Sequence, residues 1–372
     1  MMKILLYCLM LCSLSLFAQD KLHITGKLTG IDDKVRIVIK SGEDEKETYL
    51  KDGLIDVSMY LKESPAVVRV IAYVKKNNPE YAFLFLGNES VVFSGDIKDF
   101  PRGLKVSNSV HDTLRYENDL LKNSLYNERS VIIDKYYTLV NQKQTTDSVN
   151  KALKEDELLE SITQMTKEMQ KIDYEFTKNH INTAYGRFMV MGGLNDYTDV
   201  QVSELFNLVE PQYYDTKEIK LLKMMLDHKE LKIGDLYYDF TAVDINNKKV
   251  KFSNYFTGKY VLLDFSTYNC GYCQEAGPKT VKIAESLKQR LIYVTYYVGN
   301  DFKDIEKYYT TLKGSKGTLL WNIDGYNNSV LFKYRHQGTP DYLLFSTEGK
   351  LIQKFYGMQK DDFEVRLKEL MK

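Results

Sequence analysis

Two cysteines three positions apart, Cys270 and Cys273, follow closely on the apolar run Tyr260-Val-Leu-Leu-Asp-Phe-Ser266 and open a stretch that continues as a helix to about Lys288. At the first turn of a helix, residues i and i+3 bring their Cα atoms within the roughly 4.4–6.8 Å that a disulfide requires. The pair can therefore close and open with little backbone movement. The surrounding pattern alternates strand and helix: strand Leu291 to Val298, helix Phe302 to Leu312, helix Ser329 to Tyr334, then strands Tyr342 to Ser346 and Leu351 to Tyr356 joined at Glu348-Gly349, and a last helix from Asp361 to Met371. A hairpin precedes them, with strands around Phe240 to Ile245 and Val250 to Phe252 and its turn at Asn246-Asn247. A βαβ unit followed by a hairpin and a closing helix implies a mixed sheet with helices on both faces.

The same junction sets the chemistry. A helix N-terminus carries partial positive charge and free N–H groups, which stabilise a thiolate on Cys270 and make it the nucleophile. Cys273, one turn in and better shielded, suits a resolving thiol. An inert disulfide and half of a structural zinc site are the competing readings, but zinc takes four ligands, and the remaining candidates are five scattered histidines: His23, His111, His180, His228 and His336.

The remaining cysteines, Cys8 and Cys12, lie in a different kind of segment. Lys3, an apolar run from Ile4 to Phe17 and a small residue at Ala18 are the anatomy of a secretory leader occupying residues 1–18. Leu11 stands where lipid attachment at Cys12 would take a small residue. An exported chain of 372 residues folds on its apolar core without disulfide staples, so a lone close-spaced pair is there for chemistry. The 51 basic residues balance the 51 acidic ones, which leaves no net field to draw the chain to nucleic acid or to bind it strongly to an anionic membrane.

Ahead of the redox segment the chain reads as two further regions. From 20 to 105, short β-rich runs (Val35 to Ile39, Leu54 to Val57, Val67 to Ile71, Tyr81 to Phe85, Val91 to Phe93) alternate with turn residues, as in a small antiparallel sandwich or barrel. From 106 to 232 the period is helical. Leu158, Ile162, Met165, Met169, Ile172 and Phe176 share one helix face, the polar stretch Asn141 to Asn150 separates two helices, and Ser203 caps a helix that stops before Pro211.

Residues 233–372 resemble the thioredoxin superfamily, in particular the TlpA and ResA type of envelope thiol-disulfide oxidoreductase. The resemblance rests on the lead strand Gly258-Lys-Tyr-Val-Leu-Leu-Asp-Phe265, the Cys-Gly-Tyr-Cys motif, Pro278 in the active-site helix, and Gly338-Thr339-Pro340 just before a strand. It covers a little over a third of the chain and implies an α/β thioredoxin-like domain preceded by the small β domain and the helical segment. Residues 20–230 loosely resemble the accessory region that precedes such domains in Bacteroidetes envelope proteins. By resemblance, Asp264 is the buried acid that takes the proton of the resolving cysteine, Thr339 and a cis Pro340 pair with an extended substrate peptide, and Tyr272 offers a ring for apolar substrate contact.

There are departures. The type has tryptophan before the first cysteine and glutamate three residues after the second, where this chain has Asn269 and Ala276; Glu275 is one position early. His336 stands where the type prefers a small aliphatic residue and reads as a satisfied interior imidazole, with a titrating neighbour of the site as the other reading. The Gly-Tyr dipeptide with Thr before the proline is similar to the DsbC type of periplasmic disulfide isomerase.

The resemblance implies an enzyme of the periplasm or cell envelope that reduces or isomerises substrate disulfides and needs no cofactor. Its partners are disulfide-bearing envelope proteins and a membrane thiol donor. Two other readings compete: a thiol peroxidase, because Thr267 lies three residues before Cys270, although Leu263 replaces the peroxidase proline; and a non-catalytic envelope binding protein that uses the fold for presentation.

Overall fold

The structure, a computed structural model, describes residues 21–30, 35–75, 78–100, 103–141, 148–194, 196–312, 318–323, 329–357, 359 and 362–372. The leader read at 1–18, with Cys8 and Cys12, lies outside the described residues, as does most of the stretch read as an interhelical loop. The chain divides into two compact units: Met1–Phe176 with Thr183–Tyr185, and Thr177–Asn182 with Gly186–Lys372.

In the first unit, two four-stranded sheets form around one apolar core. One runs in the order β4 (Leu54–Met59), β1 (Leu22–Thr29), β7 (Ser90–Asp96), β8 (Lys105–Ser107); the other is β3 (Asp44–Tyr49), β2 (Arg36–Ser41), β5 (Ala66–Lys75), β6 (Asn78–Leu86). Pairing is antiparallel except between β1 and β7, which run parallel. Alternation in β4, with Ile55, Val57 and Met59 turned inward, shows how each strand supplies one face to the core. β3 escapes the sequence reading because Asp44-Glu-Lys-Glu-Thr-Tyr49 has almost no apolar residue; it is an edge strand, kept soluble by charge. Helices α1 (Asp112–Leu121), α2 (Asn123–Asn141) and α3 (Ser148–His180) follow, and α3 carries the Leu158-to-Phe176 stripe.

In the second unit, α4 (Ala184–Gly193), α5 (Asp199–Asn207) and α6 (Lys217–Asp227) lead into a seven-stranded sheet. α5 begins four residues earlier than the Ser203 cap expected from sequence. Thr198 caps it in a reciprocal box with Gln201, a Thr-x-x-Gln signal that Ser203 cannot supply. The sheet order is β10 (Lys249–Lys251), β9 (Thr241–Asp244), β13 (Thr318–Trp321), β12 (Leu291–Tyr297), β11 (Tyr260–Ser266), β14 (Asp341–Phe345), β15 (Leu351–Tyr356). β13 has no counterpart in the sequence reading, since four residues are too few for a period to show.

β11 is central, parallel to β12 and antiparallel to β14, and is buried from Val261 to Ser266. A strand covered on both faces has to be apolar nearly throughout, which is why Asp264 is conspicuous within it. Val261, Leu263 and Phe265 pack on one face with Phe240, Phe252 and α9 (Ser329–Lys333). Leu262 packs on the other with Tyr293, Tyr342 and Val281 of α7 (Gly271–Ser286). By the two-residue period Asp264 and Ser266 lie on this second face, beneath α7 and α8 (Phe302–Thr311), with α10 (Phe363–Leu370) on the same side.

Candidate active site

The strand-to-helix junction places Cys270 at the N-cap of α7 in an extended conformation (φ −122°, ψ 111°), and the Cys273 N–H donates to its sulfur at 3.1 Å. A sulfur in the cap position takes up one of the amides that a helix start leaves without a partner. Cys270 and Cys273 are joined by a disulfide, their Cα atoms 5.2 Å apart. Cys270 is partly exposed, whereas Cys273 is fully buried against Tyr297, Tyr308 and Trp321. This asymmetry leaves Cys270 as the sulfur a bulky disulfide can approach.

The loop before β14 faces the pair. Thr339–Pro340 is a cis peptide, and the Thr339 carbonyl oxygen lies 3.4 Å from Cys270 Sγ, where the thiol of the dithiol state would donate. Tyr272, between the cysteines, is two-thirds exposed (66%) beside them. Of these three residues, Thr339 is the one that meets the Cys270 sulfur directly, through its carbonyl oxygen.

Asp264 lies beneath, with no exposed surface. Ser266 Oγ donates to its Oδ1 at 2.7 Å, and Tyr293 Oη donates to its Oδ2. Burial pushes the Asp264 carboxyl up to about 7, against the pull of the two hydroxyls, and Asp341 adds a like charge. At neutral pH the group can therefore both accept and release a proton, the condition for general acid–base work. Burial also raises the tyrosines around it, Tyr293, Tyr308 and Tyr342, whose hydroxyls stay protonated.

Tyr293 and Ser266 were not singled out from sequence. Ser266 was within reach, two residues after Asp264 on the same strand face; Tyr293 was not, because it meets Asp264 only through the pairing of β12 with β11.

The departures are placed as well. Ala276 is buried under the sheet-facing side of α7, while Glu275 points outward and pairs with Lys279 at 2.8 Å. Asn269 donates to Asp304 at 3.0 Å, which is also paired with Lys307. His336 is buried against Phe265, but it is not satisfied at Nδ1, which lies 3.5 Å from Asp341 Oδ2 without a hydrogen bond. Among the described residues, no group of three or more His, Cys, Asp or Glu could hold a metal ion, and no helix is long and apolar enough to cross a membrane.

Residues 256–370 match a family model described as a thioredoxin-like domain. The C-terminal domain is thioredoxin-like. Among solved structures, the chain is similar to the thioredoxin domain of a thiol-disulfide oxidoreductase from Bacteroides vulgatus, at 25% identity and a TM-score of 0.35, over 38% of this chain and 100% of that one. A thiol:disulfide interchange protein from Bacteroides sp. is similar at 25% identity and a TM-score of 0.34, over 37% and 90%. A thiol-disulfide oxidoreductase from Bacteroides fragilis aligns at 18% identity and a TM-score of 0.34, over 37% and 100%. No curated protein matches the chain.

Proposed function

We propose that the protein is a thiol-disulfide oxidoreductase of the cell envelope that reduces or isomerises disulfides in exported proteins. The observation that carries this reading is the pair itself: a partly exposed sulfur at a helix N-terminus, bonded to a buried one, opposite a cis-proline loop. In the dithiol state the Cys270 thiolate attacks a substrate disulfide, forming a mixed disulfide and expelling one substrate thiolate. The Cys273 thiol then gives its proton to Asp264 and attacks Cys270 Sγ. The internal disulfide closes, the second substrate thiolate leaves, and two electrons have passed to the substrate.

Thr339 and Pro340 hold an extended substrate segment beside Cys270, and Tyr272 contacts its apolar side chains. The turnover ends in the disulfide form, so a donor must return two electrons; in an oxidising envelope a membrane thiol carrier meets that need. The charged start, apolar run and Ala18 of the leader support export.

Changing Cys273 to Ser in the native host is expected to trap mixed disulfides with client proteins, and changing Cys270 to Ser to trap none. Equal behaviour of the two variants would overturn the assigned roles. A reduction potential near about −270 mV supports a reductant or isomerase, whereas one near about −120 mV would make the pair an oxidant.

A further inference from the structure

One hydroxyl beside the pair is not used by the exchange steps above. Tyr308, on α8, is fully buried and packs in the same apolar cluster as Cys273. A Cβ on Gly277 would stand 3.0 Å from Tyr308 Oη, so the glycine leaves room for that hydroxyl on α7 one turn beyond Cys273, on the same helix face. Ser266 is the side chain that draws on the hydroxyl as a looser partner, and among the described residues the hydroxyl makes no close hydrogen bond. A polar atom is rarely buried without one unless it serves a purpose.

Its surroundings point to that purpose. Asp264 and Ser266 both act on Tyr308's ionisation, so its hydroxyl lies in their field. Ser266 is one pleat nearer than Asp264 to the cysteine end of β11, about 7 Å along the strand, and its only proton is already given to Asp264 Oδ1. The Ser266 oxygen therefore keeps lone pairs for an incoming donor. The other ionisable groups facing Asp264 are Tyr293 on β12 and Asp341 and Tyr342 on β14; Tyr293 is spent on Oδ2, and Tyr342 shares a 3.4 Å contact with Thr280.

We propose that Tyr308 relays the proton of Cys273 to Asp264 through Ser266 during the resolution step, an inference that rests on the exchange reading of the pair. As the Cys273 sulfur forms its bond to Cys270 Sγ, its proton passes to Tyr308 Oη. The Tyr308 proton passes to Ser266 Oγ, and the Ser266 proton to the Asp264 carboxylate. One proton enters and one leaves each hydroxyl, so Tyr308 and Ser266 end neutral and Asp264 ends protonated, while the electron pair leaves with the substrate thiolate.

The test uses the full chain, reduced and mixed with glutathione disulfide, with formation and breakdown of the glutathione mixed disulfide followed separately. Tyr308→Phe is expected to leave formation unchanged and to slow breakdown about tenfold or more. A rate plotted against deuterium content should be bowed in the parent protein, where several protons move, and straight in Tyr308→Phe. Ser266→Ala serves as the second variant and should behave alike. Breakdown at the parent rate in both variants, or an equally bowed plot, overturns the relay. If the parent chain forms no mixed disulfide at all, it is the exchange reading that fails.

Discussion

Replacing Asp264 with asparagine is expected to stabilise the protein at alkaline pH, although it removes a buried, doubly hydrogen-bonded group. The carboxyl titrates near 7 in the folded chain and near 3.8 when unfolded. Between those values the folded state holds a proton that the unfolded state has released, so stability falls as pH rises through the window and is level above 7. A difference of about three, at ~1.4 kcal/mol each, makes the ionised buried carboxylate cost about 4 kcal/mol above pH 7. Weakened hydrogen bonds from Ser266 and Tyr293 take back about 1–2 kcal/mol. Asp264→Asn is therefore expected to gain about 2–3 kcal/mol at pH 8 and to be nearly neutral at pH 5. Urea unfolding of the oxidised protein can follow this through Trp321, the chain's one tryptophan, which is buried in the cluster around Cys273. The stability difference between variant and parent should grow by about 2.5 kcal/mol from pH 5 to pH 8. A difference that stays constant across that range would refute the reasoning, because it would leave Asp264 without a raised pKa.

Two further outcomes can be read with the same fluorescence. A methyl on Gly277 would come within 2.7 Å of Leu312 Cδ2 and 3.0 Å of Tyr308 Oη, so Gly277→Ala should lose about 1 kcal/mol net despite alanine's better helix propensity; a gain in stability would show the notch to be slack. Asp199→Ala removes the carboxylate 2.8 Å from the buried Arg335 guanidinium and should cost about 2 kcal/mol, a figure below that of a fully buried pair because Asp199 is about a third exposed; a loss under about 0.5 kcal/mol would mean that Arg335 is satisfied elsewhere.

What was legible in the sequence follows from the range of each signal. β11 and its cysteine helix stood out because an apolar run, two cysteines and a proline lie within about twenty consecutive residues. The Asn246-Asn247 turn was legible for a local reason also: Asn247 adopts φ 59°, a conformation asparagine tolerates. β1, β3, β8 and β13 were not, since β3 and β8 are charged or short edge strands, β13 has only four residues, and β1 finds its parallel partner β7 some 66 residues away. The same limit governs the site. Cys270, Cys273 and Ser266 are neighbours in sequence, whereas Tyr293 reaches Asp264 from a different strand and Tyr308 joins the cluster around Cys273 from a different helix, and no local pattern marks them.

Arg335 draws a last consequence from the fold. It sits in the left-handed region (φ 51°) just ahead of the cis-proline loop, and its guanidinium reaches Asp199 at the start of α5 and the Met225 carbonyl on α6. A bond spanning 136 positions makes the loop that faces the cysteines dependent on chain synthesised well before it. A graft of residues 233–372 onto another leader segment would inter that cation without its carboxylate. The piece that can be exchanged with that pairing intact starts upstream of α5, not at the first strand of the thioredoxin-like sheet.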